Sequence, residues 1–512
     1  MSGLFGTFNV AVKGLNANQT ALHTTSHNIS NANTEGFNRQ RVELKADTPY
    51  NMAGVGQLGT GVRLQSVVRM VDEFVDLQIR NENSTLAQYE TQQDIMGQIE
   101  MIFNEPSDTG LNYAMGEMFN SWQELSKNPE SLNAKSMVVE KTKSFVDTLR
   151  HMSVQANELK DDVVVNIEKN VFDANSIITQ LDTVNEQIFN ISVKGHSPND
   201  LMDSRDLLLK KLSGITEFKE TYDQYGRVTV DVGGTTLTKS DADAKLSNIT
   251  EVKENSNGTF TVYGSIGGDS GKPFVSEEMS AEEAAKYKPG TPVLYKADGN
   301  TFEKVEITSG AIGGHLNSLG EIEGRMAELD AFARGTAYAF NTIHSDDGEG
   351  IPFFSEDEPI TASNLKINET ILEDNGKVAT GKSDTSPAGD GSRALALANL
   401  RTTKFDFKNF GNNNYDKDTM KFSSTSSAST MEGAYGDIII KIGIKAELAT
   451  NMVDNQTAVM AQLSNRRESV SGVSIDEEVT NLLKYQRSYE ANSRVINTLN
   501  EMLDTLINRT GV

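Results

Sequence analysis

Several short stretches carry residue types that do chemistry elsewhere, and each needs a context. GVGQLG at 54–59 has the Gly-x-Gly-x-x-Gly spacing of a dinucleotide phosphate loop. That chemistry needs a strand before it and a helix after it. The VRLQSVV that follows reads as a strand, so a glycine turn is the reading taken. GDSGKP at 268–273 surrounds Ser270 as a nucleophile loop would, but acyl transfer also needs a His and an Asp. The six histidines, at 23, 27, 151, 196, 315 and 344, stand in polar or helical contexts unlike that partner. HSDD at 344–347 and DAD at 241–243 offer oxygens for a hard cation, without the full loop spacing. His23 and His27 sit at i and i+4, a zinc spacing, with no Glu, His or Cys cluster beside them. The chain has no cysteine, which excludes thiol nucleophiles, disulfides and Cys-ligated zinc. The expectation is no catalytic residue, no cofactor and no metal site.

The bulk numbers point the same way. A chain of 512 residues is too long for one ordinary core and implies about two to four domains. With 37% hydrophobic and only 7% aromatic residues, it suits a helix-rich, elongated protein better than one compact enzyme. The net charge of −25 argues against nucleic acid, whose backbone takes clustered Lys and Arg. It also argues against an anionic membrane surface. The N-terminal MSGLFGTFNVAVKG lacks the basic region and continuous apolar run of a signal peptide. No run approaches the ~20 apolar residues of a membrane span.

The elements themselves are more informative. On a 3-4 spacing, the N-terminal stretch reads Phe5, Phe8, Val12, Leu15, Gln19, Leu22, Ser26 and Ile29. The C-terminal stretch reads Leu482, Tyr485, Tyr489, Asn492, Ile496, Leu499, Leu503 and Leu506. Both have the apolar seam of a coiled coil, with Gln19 and Asn492 as polar positions that fix register. Each helix has a polar outer face and needs one partner: the other terminal helix, a neighbouring subunit, or both. NISNANTEGFNRQ at 28–40 then stops the first helix. Asn28, Asn31, Asn33 and Thr34 compete with it through side-chain hydrogen bonds, and Gly36 can take the left-handed conformation. The polar side chains of this stretch are expected to meet neighbouring subunits, with Arg39 and Arg41 able to pair with acidic faces.

These ends carry a resemblance. GLNANQTALHTTSHNISNANTEGFNRQRV (14–42) and SGVSIDEEVTNLLKYQRSYEANSRVINTLNEMLDTLI (471–507) resemble the N- and C-terminal signatures of the bacterial flagellar axial proteins of rod, hook and hook–filament junction. GTGVRLQSVVRMVDEFVDLQIRNENS (59–84) and SPNDLMDSRDLLLKKLSGIT (197–216) resemble the junction members in particular. The resemblance implies a helically self-assembling structural subunit, with hook protein and a second junction protein as neighbours. It implies an export chaperone, and secretion of the unfolded chain through the flagellar export apparatus without a cleaved signal. A hook or distal-rod subunit is the near alternative. A flagellar protein with a catalytic insert in 217–431 is the remote one.

The expected fold is mainly α with inserted β. Residues 1–45 with 470–512 form the inner coiled coil. Residues 46–216, 310–346 and 432–469 form a long-helix domain, including a helix of about 50 residues from 145. Residues 217–309 form an inserted β domain, with a hairpin turn at Gly233-Gly234. Residues 347–431 form a second irregular or β-containing excursion, ending in a flexible link at 423–430. The β-rich pieces are expected as outer domains. Subunit contacts are expected at Phe5, Phe8, Val12, Leu15, Leu22, Ile29, Asn31, Asn33, Leu482, Tyr485, Tyr489, Ile496, Leu499, Leu503 and Leu506. Each buried seam residue contributes about 1.5–3 kcal/mol, against about 1–2 kcal/mol of backbone entropy per ordered residue. The terminal helices are therefore expected to gain their order from neighbours.

Overall fold

A computed structural model describes residues 3–508 except 53, 55, 104–106, 108, 239–243, 298–300, 358, 384 and 425–427. Helix α1 (Leu4–Ser30) leads into a β ribbon of β1 (Gln40–Ala46), β2 (Tyr50–Met52), β3 (Gly56–Leu58) and β4 (Val62–Arg69). β1 pairs antiparallel with β4 and β2 with β3, so the expected boundary at residue 45 falls inside one hairpin. The helical body follows as α2 (Glu73–Phe103), α3 (Leu111–Lys127), α4 (Leu132–Ser192) and α5 (Asn199–Ser213).

α4 is longer than the expected 50 residues. It runs for 61, because Ser131 caps its start through the Ala134 amide and no glycine interrupts it before Gly195. At 1.5 Å per residue it is about 90 Å long. Its apolar positions recur on one face, with Phe145, Leu149, Val163, Ile167, Val171, Ala174 and Leu181 all fully buried. α3, α5 and α7 (Gly310–His344) cover that face, while α10 (Met431–Ser471) lies along α2 and α7. At Gly314 a Cβ would stand 2.6 Å from the Gln88 carbonyl oxygen, so glycine lets α7 close onto α2.

Between α5 and α7 lies the β unit. β5 (Lys219–Tyr222), β6 (Val228–Val232) and β7 (Thr235–Thr236) form one sheet. β8 (Ala244–Glu254), β9 (Phe260–Ile266), β10 (Asp269–Val275), β11 (Pro292–Lys296) and β12 (Thr301–Lys304) form another, in the order β10-β9-β8-β11-β12, with the short α6 (Ala281–Ala284) beside it. Val228, Val230 and Val232 alternate inward and join the helical core. Gly233 and Gly234 turn the β6–β7 hairpin with φ of +59° and +87°, the pair of left-handed conformations that a tight hairpin turn demands. Ile249, Val262, Phe274, Val293 and Tyr295 make a second, smaller core under the larger sheet.

The segment 347–431 departs from expectation. It contains α8 (Glu369–Glu373), α9 (Ser392–Asn399) and a two-stranded hairpin, β13 (Asn413–Asp416) with β14 (Lys421–Ser424). It is not an outer domain of its own. Phe353, Phe354, Leu365, Leu397, Phe405 and Phe407 are buried in the same core as α3, α4 and α7. Trp122 meets Phe353 edge-on at 5.2 Å, and Phe332 stacks on Phe407 at 5.6 Å. Gly, Ser and Asp hide this in composition, because the sparse aromatics do the packing. The link expected at 423–430 lies partly outside the described residues, at 425–427.

Phe353→Ala should therefore destabilise the helical body itself, by about 3–5 kcal/mol. The fluorescence of Trp122, the one tryptophan, reports it directly. A denaturation midpoint unchanged from wild type would detach 347–431 from the core.

Candidate functional site

With helix α11 (Ile475–Asn508), the two chain ends meet as an antiparallel pair. Gly14 faces Asn492 and Asn28 faces Glu478, so the register holds over four turns. α11 turns Leu482, Tyr485, Tyr489, Asn492, Ile496, Leu499 and Leu503 toward α1; Leu499 is buried, the others are half-buried, and Leu506 is 57% exposed. α1 answers with small residues. Its fully buried apolar positions are Ala11, Ala17 and Ala21, followed by Thr24, Thr25 and Asn28. Small side chains on one helix let it close on bulky tyrosines and leucines of the other.

The expected seam on α1 is thus corrected. Phe8, Val12, Leu15, Leu22 and Ile29 are only half-buried, Phe5 is 61% exposed and Gln19 is exposed. The register device is Asn492 against Gly14, where a Cβ would stand 2.8 Å from the Asn492 Oδ1. Both ends are helical and pair with each other along their length.

The polar stretch after α1 is a joint. α1 ends at Ser30, and the Asn31 amide group donates to the His27 carbonyl at 3.0 Å. Gly36 does take a left-handed conformation, φ +81°, but beyond the helix end, where it turns the chain over Leu207 of α5. Asn31 is half-buried and Asn33 exposed. The Asn28 side chain both donates to the Gln40 carbonyl (2.8 Å) and accepts from its amide (2.9 Å), standing in for a strand neighbour. It also donates to Glu478 at 3.1 Å.

Arg39 closes the joint. Its guanidinium lies 2.7 Å from Glu478 and 3.0 Å from Glu477, and its amide donates to the Ser471 carbonyl at the end of α10 (2.9 Å). The acidic face that Arg39 meets belongs to its own α11. Arg41 is exposed.

α5 supplies the other half. Asp200, Asp203 and Asp206 fall at i, i+3 and i+6 on one face. Asp200 accepts from Gln40 (2.7 Å) and meets His27 (3.2 Å). Asp203 accepts from the Asn38 side chain (2.7 Å) and from Arg69 (2.8 Å), and Asp206 accepts from Arg69 (2.7 Å). Arg467 of α10 donates to Asn38 at 2.9 Å and approaches Asp76 at 3.3 Å. Burial pushes the Asp203 carboxyl up, against the opposing pull of Asn38 and Arg69. Arg69 is held above its ordinary range: burial opposes its charge, and Asp206 and Asp203 outweigh burial. The segment 197–216 stands out in the sequence, but the three-residue spacing of its aspartates was the signal for this role, and it went unread.

Gly54 and Gly56 turn the β2–β3 hairpin, strand β4 follows, and Val55 lies outside the described residues. Ser270 is exposed, and neighbouring Asp269 pairs with Lys272. In HSDD, His344 is buried; Nδ1–H donates to the Ile351 carbonyl (2.7 Å) and Nε2 accepts from the Ala379 amide (2.9 Å). Asp346 pairs with Arg393 and Lys417. DAD lies outside the described residues. His23 is exposed, and His27 is occupied by Asp200 and by an edge contact with Phe37 at 5.4 Å. Among the described residues no group of three or more His, Cys, Asp or Glu is placed to hold a metal ion, and no helix is long and apolar enough to cross a membrane.

Comparison with known proteins fits these parts. Residues 96–251 match the helical domain of the flagellar hook-associated protein FlgK. Residues 8–38 match the flagella basal body rod protein model, and 467–509 the C-terminal model of the flagellar basal body rod FlgEFG proteins. Flagellar hook-associated protein 1 of Bacillus subtilis is 31% identical, covering 100% of this chain and 99% of that relative. The Escherichia coli protein of the same name is 27% identical, covering 98% and 99%. Among solved structures, the flagellar hook junction protein FlgK from Burkholderia pseudomallei has a TM-score of 0.57 at 14% identity. It covers 77% of this chain and 100% of that one, a likeness of fold.

Two predictions follow from the buried charges. Arg39→Ala leaves Glu478, 2% exposed, without its cation, at a cost of about 3–5 kcal/mol. Amide hydrogen exchange in 475–490 should speed up more than in α4; equal protection in variant and wild type would release Arg39 from this role. Burial holds His344 down to about 4 from 6.5. A depressed histidine favours the fold above its unfolded pKa, so stability falls as pH drops from about 6.5 to about 4. The loss is on the order of 3 kcal/mol. Denaturant midpoints at pH 7 and pH 4 measure it, and His344→Gln should lack that part of the fall.

Proposed function

This chain belongs to the flagellar hook-associated protein 1 family, and from that membership we propose a mechanism for its work at the hook–filament junction. The family is structural: its members are components of the bacterial flagellum. This chain is the helically assembling adaptor that joins hook to filament through the next junction protein. The helical body keeps its shape as a rigid block. The α1–α11 pair is the part that meets other subunits, and the polar joint sets its angle to the body.

The observation that carries this reading is the division of labour along the chain. The body has an extensive buried core, Trp122, Phe145, Phe332 and Phe340 among it, whereas α11 has α1 as its main partner and leaves much of its surface uncovered. Phe5, Phe8, Val12, Leu15, Leu22 and Ile29 of α1, with Leu506 of α11, keep exposed surface that neighbouring copies bury. Asn31 and Asn33 border the same surface at the joint. Hook protein and the second junction protein occupy the two ends of the assembly. The chain reaches it unfolded through the flagellar export apparatus, with a chaperone as escort. No catalytic step belongs to this function.

Electron microscopy of cells lacking the protein tests it. Complete hooks without filaments, with flagellin lost to the medium, are the expected result. Missing or truncated hooks would move the assignment to hook or rod, and normal flagella would refute it. Leu499→Asp adds a finer check, since it places a charge at the one buried apolar position of α11 among the described residues. Assembly should be lost while the thermal unfolding of the body is unchanged.

A further inference from the structure

The sequence contains Asn-Gly twice, at 257–258 and 375–376. Asparagine is a labile residue, and a following glycine makes it more so. The next amide nitrogen can attack the side-chain carbonyl carbon, and glycine puts no Cβ in its way. The fold treats the two pairs differently. Asn375–Lys377 is a turn of 3-10 helix laid on α4. Asn375 Nδ2 donates to Ser136 Oγ of α4 at 2.9 Å, and the Gly376 carbonyl accepts from Lys135 of α4 at 2.7 Å. The Gly376 amide donates to Asp374 Oδ1 at 2.9 Å. Both partners of the reaction are thus tied down, and bringing them together breaks contacts to the longest helix of the body.

Asn257 and Gly258 stand at the tip of the β8–β9 hairpin, and both are exposed. Gly258 has φ +79°, and nothing stands within 4 Å of where its Cβ would be. Its amide is bonded only within the turn, to the Asn255 carbonyl at 3.0 Å. The Asn257 side chain arches over Gly258, because its Oδ1 accepts from the Thr259 amide at 3.1 Å and meets the Thr259 hydroxyl at 2.6 Å. Donors on that oxygen stabilise the negative charge it gains when a nucleophile adds to the carbon beside it. On the other side Nδ2 donates to Glu278 at 2.9 Å. The bonds from Asn257 and Thr259 hold the Glu278 carboxyl below its ordinary range.

We propose that Asn257 is a site of spontaneous modification: in the folded chain its side chain condenses with the Gly258 amide, while Asn375 is protected. The Gly258 nitrogen loses its proton and bonds to Cγ of Asn257. The Cγ–Nδ2 bond breaks, and ammonia leaves with the equivalent of that proton. Water then opens the five-membered imide at either carbonyl, giving an aspartyl or an isoaspartyl link; nothing is oxidised or reduced. The product places a carboxylate against Glu278, where an amide donor stood, and like charges so placed repel. The isoaspartyl form also lengthens the backbone inside a turn that the Asn255 amide closes onto the Thr259 carbonyl at 2.7 Å. Both changes loosen the hairpin tip from the segment at 276–279, whose Met279 pairs with Phe260. The β unit therefore accumulates a mark of the chain's age, far from the α1–α11 pair in sequence and independent of any partner.

The test is to age the purified full-length chain at neutral and mildly alkaline pH, then map its peptides by mass spectrometry and label isoaspartate with an isoaspartyl methyltransferase. The expected result is label and the mass gain of amide to carboxylate in the peptide carrying residue 257, faster at the higher pH, with the peptide carrying 375 unchanged. In denaturant both pairs should react, which shows that the fold makes the difference. Asn257→Gln should lose the signal of the folded chain, and Asn375→Gln should keep it. An intact Asn257 in the aged, folded chain overturns the proposal, as does modification of Asn375 at the same rate. Asn257→Asp reads the consequence: amide exchange in 255–262 should be faster than in wild type, with α4 unchanged. Equal protection in 255–262 would overturn the loosening.

Discussion

A carboxylate that is 2% exposed needs partners, and the arrangement of this molecule follows from how Glu478 finds them. Arg39 supplies charge and Asn28 supplies an amide, one from each side of the turn that leaves α1. Those two residues are also tied to the start of β1 and the end of α10. A single buried acid thereby fixes where the first helix ends, where the last begins and how both leave the body. The price of burying an ion is high, and a well-packed apolar cluster offers similar stability. What an ion pair with directed hydrogen bonds adds is a defined geometry, which a junction between two stiff parts requires.

The two parts are stiff for different reasons. The body is held by side chains with many neighbours: Trp122, Phe145, Phe332, Phe340 and Phe353 are all fully buried. The inner pair is held along one line, by alanines against tyrosines and leucines. Local opening is easiest where apolar contacts are few and backbone is exposed. The inner pair is therefore the adaptable part and the body the frame. The joint between them is almost wholly polar yet largely buried, so its directed bonds hold the angle between the two.

Much of this was legible in the sequence. The 3-4 spacing of Leu482 to Leu503 names the face α11 turns to its partner, and the apolar repeat of α4 names its buried face. Gly233-Gly234 marks its hairpin, since two glycines after alternating valines readily take the paired left-handed conformations of a tight turn. α1 misled, because periodicity weighs large apolar residues, while its partner needed small ones; Ala11, Ala17 and Ala21 carry little hydrophobic signal. Residues 347–431 misled for a related reason. Their glycines and serines dilute the average, yet a few phenylalanines suffice to join a core. The spacing of Asp200, Asp203 and Asp206 marks an acidic face, but nothing local names Asn38 and Arg69 as its partners.

The hydrogen bond from Asn28 to Glu478 spans 450 residues of chain. Closing so long a loop costs little more in entropy than closing one of half the length. It does, however, impose an order in time. However the chain is delivered, α1 waits for α11, and the body between them can fold first from its own nearer contacts. A chain cut short between the end of α10 and residue 475 has the elements of the body but no inner pair. The joint thus works as a proof of completeness: only a full-length chain can finish its own fold.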